Sequence, residues 1–286
     1  MQRITPHLWY DKEAKEAAAL YTSLFDHSRI KNATTLHDTP SGSVDLVSIE
    51  LAGQEFALIS AGPYFKFNPS VSFLVSCATK DEVDALWGEL SKGGQTLMEI
   101  GEYPFAKRYG WTQDRFGLSW QLIYGNPRDM HQKITPVIMF TDQQSGKAEE
   151  AIRFYMSVFE NSEIGTIARR DDNGINFADF ALEGQRFAAM DSPSPNGFTF
   201  NEAISFIVNC ETQQEIDDYW EKLSADPRAE QCGWLKDRYG LSWQVTPTAM
   251  NRMLASGDEK RIARVTKAFL QLKKFDLAKL EEAYRG

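Results

Sequence analysis

Two hydrophobic periods alternate along the chain. Val83, Leu86, Trp87 and Leu90 fall at i, i+3, i+4 and i+7, the spacing of one helix face, and Ile216, Tyr219, Trp220 and Leu223 repeat it. Each run follows a Thr-x-x-Glu pair, Thr79 with Glu82 and Thr212 with Glu215, whose reciprocal side-chain bonds satisfy the first amides of a helix. Ala17, Leu20, Tyr21 and Leu24, echoed by Ala151, Phe154, Tyr155 and Val158, predict an earlier helix in each half, directly after a first strand. VDLVSIELAG with QEFALIS, and NFADFALEG with QRFAAMD, read as strand pairs split by glycine turns. Each half therefore reads strand, helix, three strands, twice over.

Alternation sorts the strands into faces. In LSWQLIY, Leu118, Trp120 and Leu122 share one face and Ser119, Gln121 and Ile123 the other. Val71, Phe73, Val75 and Cys77 likewise oppose Ser70, Ser72 and Ser76, and Ala203 and Ser205 stand at the matching places in the second half. The large apolar faces are expected to meet the helices. A sheet whose remaining face is small and polar encloses a cavity, which is where a ligand site is expected.

The pattern repeats because the sequence does. GWTQDRFGLSWQ at 110–121 returns as GWLKDRYGLSWQ at 233–244 with nine of twelve positions identical; RITPHLWYD matches KITPVIMFTD, and FNPSVSFLVSC matches FNEAISFIVNC. Repeats this long indicate a duplicated domain and not a short-period solenoid. The expected division is 1–130, 131–249 and a helical extension over 250–286, in which Ile262, Val265, Phe269 and Leu272 keep helical spacing. From Gly257 onward the extension carries 8 basic and 5 acidic residues, and it is expected to pack on the second domain with a solvated outer face.

Composition narrows the function. At 286 residues the chain has material for two cores. A net charge of −9 argues against the basic footprint of a nucleic-acid binder. No run approaches eighteen apolar residues and the first residues lack a signal-peptide core, so the chain is expected to be cytoplasmic, with no membrane partner. Three cysteines without CxxC spacing support neither a disulfide framework nor a zinc knuckle. Cys77 and Cys210 read as small core residues, and no histidine follows His131 to activate Cys232.

The segments ITPHLWYD, LAGQEF, GPYFKFNPSVSF and GWTQDRFGLSWQ, with ITPVIMF, FNEAISFIVNCETQQEIDDYWEKL and CGWLKDRYGLSWQVTPTAM, resemble the vicinal oxygen chelate superfamily of glyoxalases, bleomycin-resistance proteins and extradiol dioxygenases, in its PhnB-like branch. The resemblance covers nearly the whole chain, and the tail also looks like that branch's C-terminal extension. It implies an α+β fold of two tandem glyoxalase-like domains, each of two βαβββ modules forming a cupped, mostly antiparallel sheet with helices outside, plus the helical C-terminal extension. Many such proteins are homodimers, so a tandem copy resembles a dimer written into one polypeptide, as a monomer or as a further homodimer.

Metal-dependent relatives take ligands from the first, fifth and eighth strands. The matching positions are His7, about Ser70 and Gln121 in the first half, and Val137, Ala203 and Gln244 in the second. One imidazole and one amide make a poor cage for a divalent cation. No cofactor is therefore expected; a divalent metal, if one binds, would sit on His7 and Gln121. The branch has also carried a demethylubiquinone methyltransferase label, but no strand leads into a Gly-rich turn and acidic residue suited to a nucleoside cofactor, so the label is unsupported.

The candidate ligand-binding residues of the first half are His7, Trp9, Ser70, Ser72, Trp111 and Gln121; those of the second are Met139, Ser205, Trp234 and Gln244. His7 reads as a ligand, a general base or a polar residue at the cup mouth. The glutamines, as buried amides, must bond either neighbouring strands or a ligand. Trp9 and Trp111 read as core or as an aromatic wall. The leading expectation is a small-molecule binding protein without a catalytic metal. The alternative is a metal-dependent lyase, isomerase or dioxygenase acting on adjacent oxygens at His7 and Gln121.

Overall fold

The computed structural model describes residues 2–125 and 132–286; the repeat boundary at 130/131 lies outside the described residues. The first module runs β1 (Ile4–Tyr10), α1 (Ala14–Leu24), β2 (Arg29–Thr39), β3 (Gly42–Leu51) and β4 (Gln54–Ser60). The second is β5 (Val71–Cys77), α2 (Lys80–Leu90), β6 (Gln95–Tyr103), β7 (Ala106–Gln113) and β8 (Ser119–Tyr124). The third is β9 (Ile134–Phe140), α3 (Ala148–Val158), β10 (Glu163–Arg169), β11 (Ile175–Leu182) and β12 (Gln185–Asp191). The fourth is shorter: β13 (Ile204–Cys210), α4 (Gln213–Leu223), β14 (Trp234–Lys236) and β15 (Ser242–Pro247), followed by α5 (Thr248–Leu254), α6 (Glu259–Phe269) and α7 (Leu277–Arg285).

The fourth module thus has two strands after its helix where three were expected. SADPRAEQC, at the place of β6, carries an Asp-Pro that starts a short 3-10 turn at Pro227 and offers no apolar alternation to hold an edge strand.

The helix starts follow the capping pairs: Thr79 accepts from the Glu82 amide and Thr212 from the Glu215 amide, while the two glutamates accept from the amides of Ala78 and Glu211. The repeated motif is a folding unit as well. Asp114 accepts from the amides of Phe116 and Leu118 and from Trp120 Nε1; Asp237 does the same for Tyr239, Leu241 and Trp243. A turn aspartate here ties its own loop and holds the large core indole of the following strand.

The fold class is as expected, α+β with two sheets of modules and a helical end, but the sheets do not follow the halves. One is ordered β14-β15-β13-β1-β4-β3-β2 and the other β10-β11-β12-β9-β5-β8-β7-β6. The first module therefore shares a sheet with the fourth, and the second with the third. The compact units are residues 1–66 with 201–286, and 67–200, so the division at 130 marks the repeat and not a folded body. The joints are antiparallel pairs of equivalent strands: β1 on β13, with His7 opposite Ser205, and β9 on β5, with Val137 opposite Ser72. Within neither sheet are the two modules of one half joined: the first pairs with the fourth and the second with the third.

Helices α1 to α4 lie on the face that carries the largest buried side chains, among them Phe73, Trp120, Phe206 and Trp243. The extension lies on the opposite face of the first unit's sheet. Its core of Met253, Leu254, Val265, Phe275 and Leu280 packs against Leu36 and Leu46, and Leu46 pairs with Ile59, which pairs with Trp9. At the other edge of that sheet, the amides of Cys232 and Gly233 donate to the carbonyls of Leu272 and Lys273.

Candidate ligand site

The first unit gathers His7, Trp9, Ser205, Trp234 and Gln244. The second gathers Ser70, Ser72, Trp111, Gln121 and Met139. His7 and Gln121, the pair nominated for a metal, stand in different sheets and share no cup. His7 meets Gln244 instead, because β1 joins β13 and β13 runs parallel to β15.

In the second unit the polar groups nominated for ligand binding, Ser70, Ser72, Trp111 and Gln121, all have partners, while Ser76 Oγ and Thr135 Oγ1 are buried without one. Gln121 donates from Nε2 to Ser72 Oγ at 2.8 Å and accepts at Oε1 from the Tyr109 hydroxyl at 2.8 Å. Trp111 donates to Ser119 Oγ at 2.7 Å. Ser70 Oγ turns to the Thr199 carbonyl, 3.4 Å away. Where the first unit has His7 and Trp9, β9 supplies Val137 and Met139. Leu74, Tyr109, Ile123, Val137 and Ala188 form one apolar cluster on this face with Met98, Tyr103, Trp111, Phe177 and Met190 packed against it. This hollow is filled by its own side chains, and Gln121 is only 3% exposed.

In the first unit the same skeleton is bonded differently, although Gln244, 8% exposed, and His7, 5%, are buried as Gln121 is. Gln244 donates from Nε2 to Ser205 Oγ at 3.0 Å, as Gln121 does to Ser72, but its Oε1 has no donor among the described residues. The reason is one residue: Cys232 stands where the second unit has Tyr109, immediately before the motif glycine. The Cys232 sulfur packs into the cluster of the extension, and burial pushes its thiol pKa up. Trp234 is not turned onto Ser242 as Trp111 is onto Ser119. Its ring meets His7 edge-on at 5.3 Å and Trp9 at 6.0 Å. Ser242 Oγ is consequently buried with no partner.

Trp9 is anchored by its own indole, which donates to the Gly62 carbonyl at 2.8 Å, and Tyr64 and Phe65 stand edge-on to it. His7 Nδ1 lies 3.4 Å from Ser205 Oγ, and Nε2 has no partner among the described residues. Burial holds the imidazole down at about 3, so it is neutral at physiological pH. Ala57 and Ile59, beside His7 and Trp9 on β4, are half-buried and extend the wall.

Ser242, Cys232, Ala57 and Ile59 were not among the residues nominated from sequence. A signal for two of them exists: aligning RYGWTQDRFGLS with QCGWLKDRYGLS sets Cys232 on Tyr109 and Ser242 on Ser119. What the exchange does depends on a bond across strands that sequence does not display.

The donor set does not fit a divalent cation. It comprises one imidazole, one neutral amide oxygen and hydroxyls, with no carboxylate or thiolate converging on them. Among the described residues no group of three or more His, Cys, Asp and Glu side chains is placed to hold a metal.

Known proteins give the same picture of descent. The family model described as 3-demethylubiquinone-9 3-methyltransferase matches residues 2–123 and again 132–246. A PhnB protein from Bacillus cereus, named for the same methyltransferase, is 36% identical; the match covers 43% of this chain and 100% of that one, with a TM-score of 0.41. A glyoxalase I variant from Zea mays is 13% identical over 88% of this chain and 96% of that one, with a TM-score of 0.54. A Bacillus subtilis protein described as a candidate dioxygenase is 10% identical over 84% and 83%, with a TM-score of 0.51. The last two share the fold alone. No curated protein matches.

Proposed function

Starting from a chain that belongs to the PhnB-like family described as 3-demethylubiquinone-9 3-methyltransferase, we propose that it is a small-molecule binding protein whose site is the cup of the first unit and which uses no catalytic metal. The observation that carries this reading is the contrast between equivalent groups: Gln121 and Trp111 are closed by Tyr109 and Ser119, whereas Gln244 Oε1, Trp234 Nε1 and Ser242 Oγ have no partner among the described residues. A buried polar atom without a partner is costly, about 1–3 kcal/mol; Ser242 Oγ is such an atom, and beside the open Gln244 Oε1 and Trp234 Nε1 it leaves an aromatic-walled face suited to a ligand that completes them. Methyl transfer is not carried over with the family description.

The test is a thermal-shift screen of a small-molecule panel on the whole protein and on two variants. A compound at 100 times its dissociation constant adds about 2.7 kcal/mol. The shift is expected to vanish in Gln244→Leu and to persist in Gln121→Leu. The reverse pattern would move the site to the second unit, and no shift with any compound would remove the reading. Stoichiometric Zn, Ni, Mn or Fe in protein purified without chelators, lost in His7→Ala, would establish the metal-dependent enzyme in its place.

A further inference from the structure

We propose that the first unit's cup selects an uncharged fused aromatic ring that carries a hydrogen-bond acceptor facing His7 and Trp234 and a hydrogen-bond donor facing Gln244. This rests on the binding reading above and adds the chemistry of the ligand to it.

The polarity of each open group follows from the bonds already made. Gln244 uses one Nε2 hydrogen on Ser205 Oγ, which leaves Oε1 as its acceptor and the second Nε2 hydrogen as a further donor. In the proposed arrangement Ser205 Oγ, which accepts from Gln244, gives its own hydrogen to His7 Nδ1, 3.4 Å away; the other arrangement has a His7 Nδ1–H donating to the same oxygen. An imidazole that accepts at Nδ1 and is neutral carries its proton on Nε2, and that N–H points to the open side. Gln244, Ser205 and His7 thus form a relay that sets the histidine tautomer from across two strand pairs. Trp234 adds a second donor, since an indole nitrogen cannot accept. The open groups are therefore donors at His7 Nε2, Trp234 Nε1 and the second Gln244 N–H beside one acceptor, Gln244 Oε1, with Ser242 Oγ able to serve as either.

Charge is excluded by the surroundings. The ionised side chains on this face are already paired: Lys236 with Glu202 at 2.8 Å, Lys31 with Glu55 at 2.7 Å and Arg29 with Glu50 at 2.7 Å. Among the described residues the cations on the strands of this face are therefore all paired, and a carboxylate or phosphate taken in here meets no free strand cation. The walls are aromatic edges and faces, Trp9 with Phe65 at 5.1 Å and Trp234 at 6.0 Å, which match a flat ring.

The experiment uses three probes of one shape on the full chain: 2-naphthamide, N,N-dimethyl-2-naphthamide and 2-naphthoate, followed through the His7 and Trp234 side-chain nitrogens by NMR. 2-Naphthamide is expected to bind at least tenfold more tightly than either of the others. Gln244→Met is expected to weaken 2-naphthamide about tenfold and leave the dimethyl compound unchanged. Without ligand, His7 is expected to show the Nε2–H tautomer, and Ser205→Ala to shift it toward Nδ1–H. Naphthoate binding as tightly as the amide, or a Nδ1–H tautomer in the native protein, would overturn the ligand class and leave the binding site standing. Failure of both the three probes and the wider panel to move any His7 or Trp234 signal would remove both.

Discussion

Tyr109 and Cys232 occupy the same place in the repeated motif, and the difference between a hydroxyl that reaches a glutamine and a thiol that does not separates the two cups. Tyr109→Phe removes the only described donor to Gln121 Oε1 and leaves that oxygen buried. The expected cost is about 1–3 kcal/mol in a urea melt, with ligand binding in the first unit unaltered. His7 carries a pH signature. Its pKa is about 3 in the folded protein against 6.5 for a free imidazole, so below 6.5 the unfolded chain takes up a proton that the fold refuses. Stability therefore falls as pH drops from 6.5 toward 3, by at most about 1.4 kcal/mol per pH unit. Melts of the native protein and of His7→Gln between pH 4 and 7 check this, the variant being expected to lose that share of the slope. His7, Ser205 and Gln244 were each legible as polar positions on an otherwise apolar strand. That Gln121 would be satisfied and Gln244 not was illegible, because the deciding partners lie a strand away.

Among the elements, the helices and the turn motif follow most directly from local sequence. Capping pairs and the aspartate turn are closed by bonds within a few residues, so the spacing that names them also builds them. The fourth module departs from its siblings for a reason equally local, the Asp-Pro that replaces an edge strand with a turn. The extension is different. It is docked through the motif glycine, whose φ of +82° favours a residue without a side chain and whose added Cβ would lie 2.4 Å from the Phe275 ring. The equivalent Gly110 makes room instead for Trp87, at 2.5 Å by the same construction. One glycine thus serves a helix of its own module in one copy and the C-terminal extension in the other. Gly233→Ala is expected to destabilise the protein by about 3 kcal/mol through backbone strain and overpacking. It should also raise amide hydrogen exchange selectively in the extension; uniform exchange across the first unit would count against that docking role.

At the scale of the whole molecule, the exchange of modules between halves makes a prediction the linear repeat does not. Each sheet needs one module from residues 1–130 and one from 131–286, so neither half should fold alone into the units described here. Expressed separately, each half is expected to be unfolded or self-associated. Co-expressed, the two are expected to form a 1:1 complex with the circular dichroism of the intact chain, and two independently folded monomeric halves would contradict the strand pairing. Among the described residues no helix is long and apolar enough to cross a membrane.

The amino-acid order by itself determined the four modules, their helices, the duplicated aspartate turn and the alternation that leaves small polar residues on one face, since each depends on neighbours within a few positions or on a period of two or 3.6. It also nominated five of the residues that meet in the first unit's cup. Tertiary structure alone decided which modules share a sheet, and so that His7 faces Ser205 and Gln244 instead of Gln121. It alone decided, too, that one glutamine is closed by a tyrosine while its equivalent stays open. These outcomes depend on hydrogen bonds between strands up to about two hundred residues apart in the chain, where no local pattern records which partner will arrive.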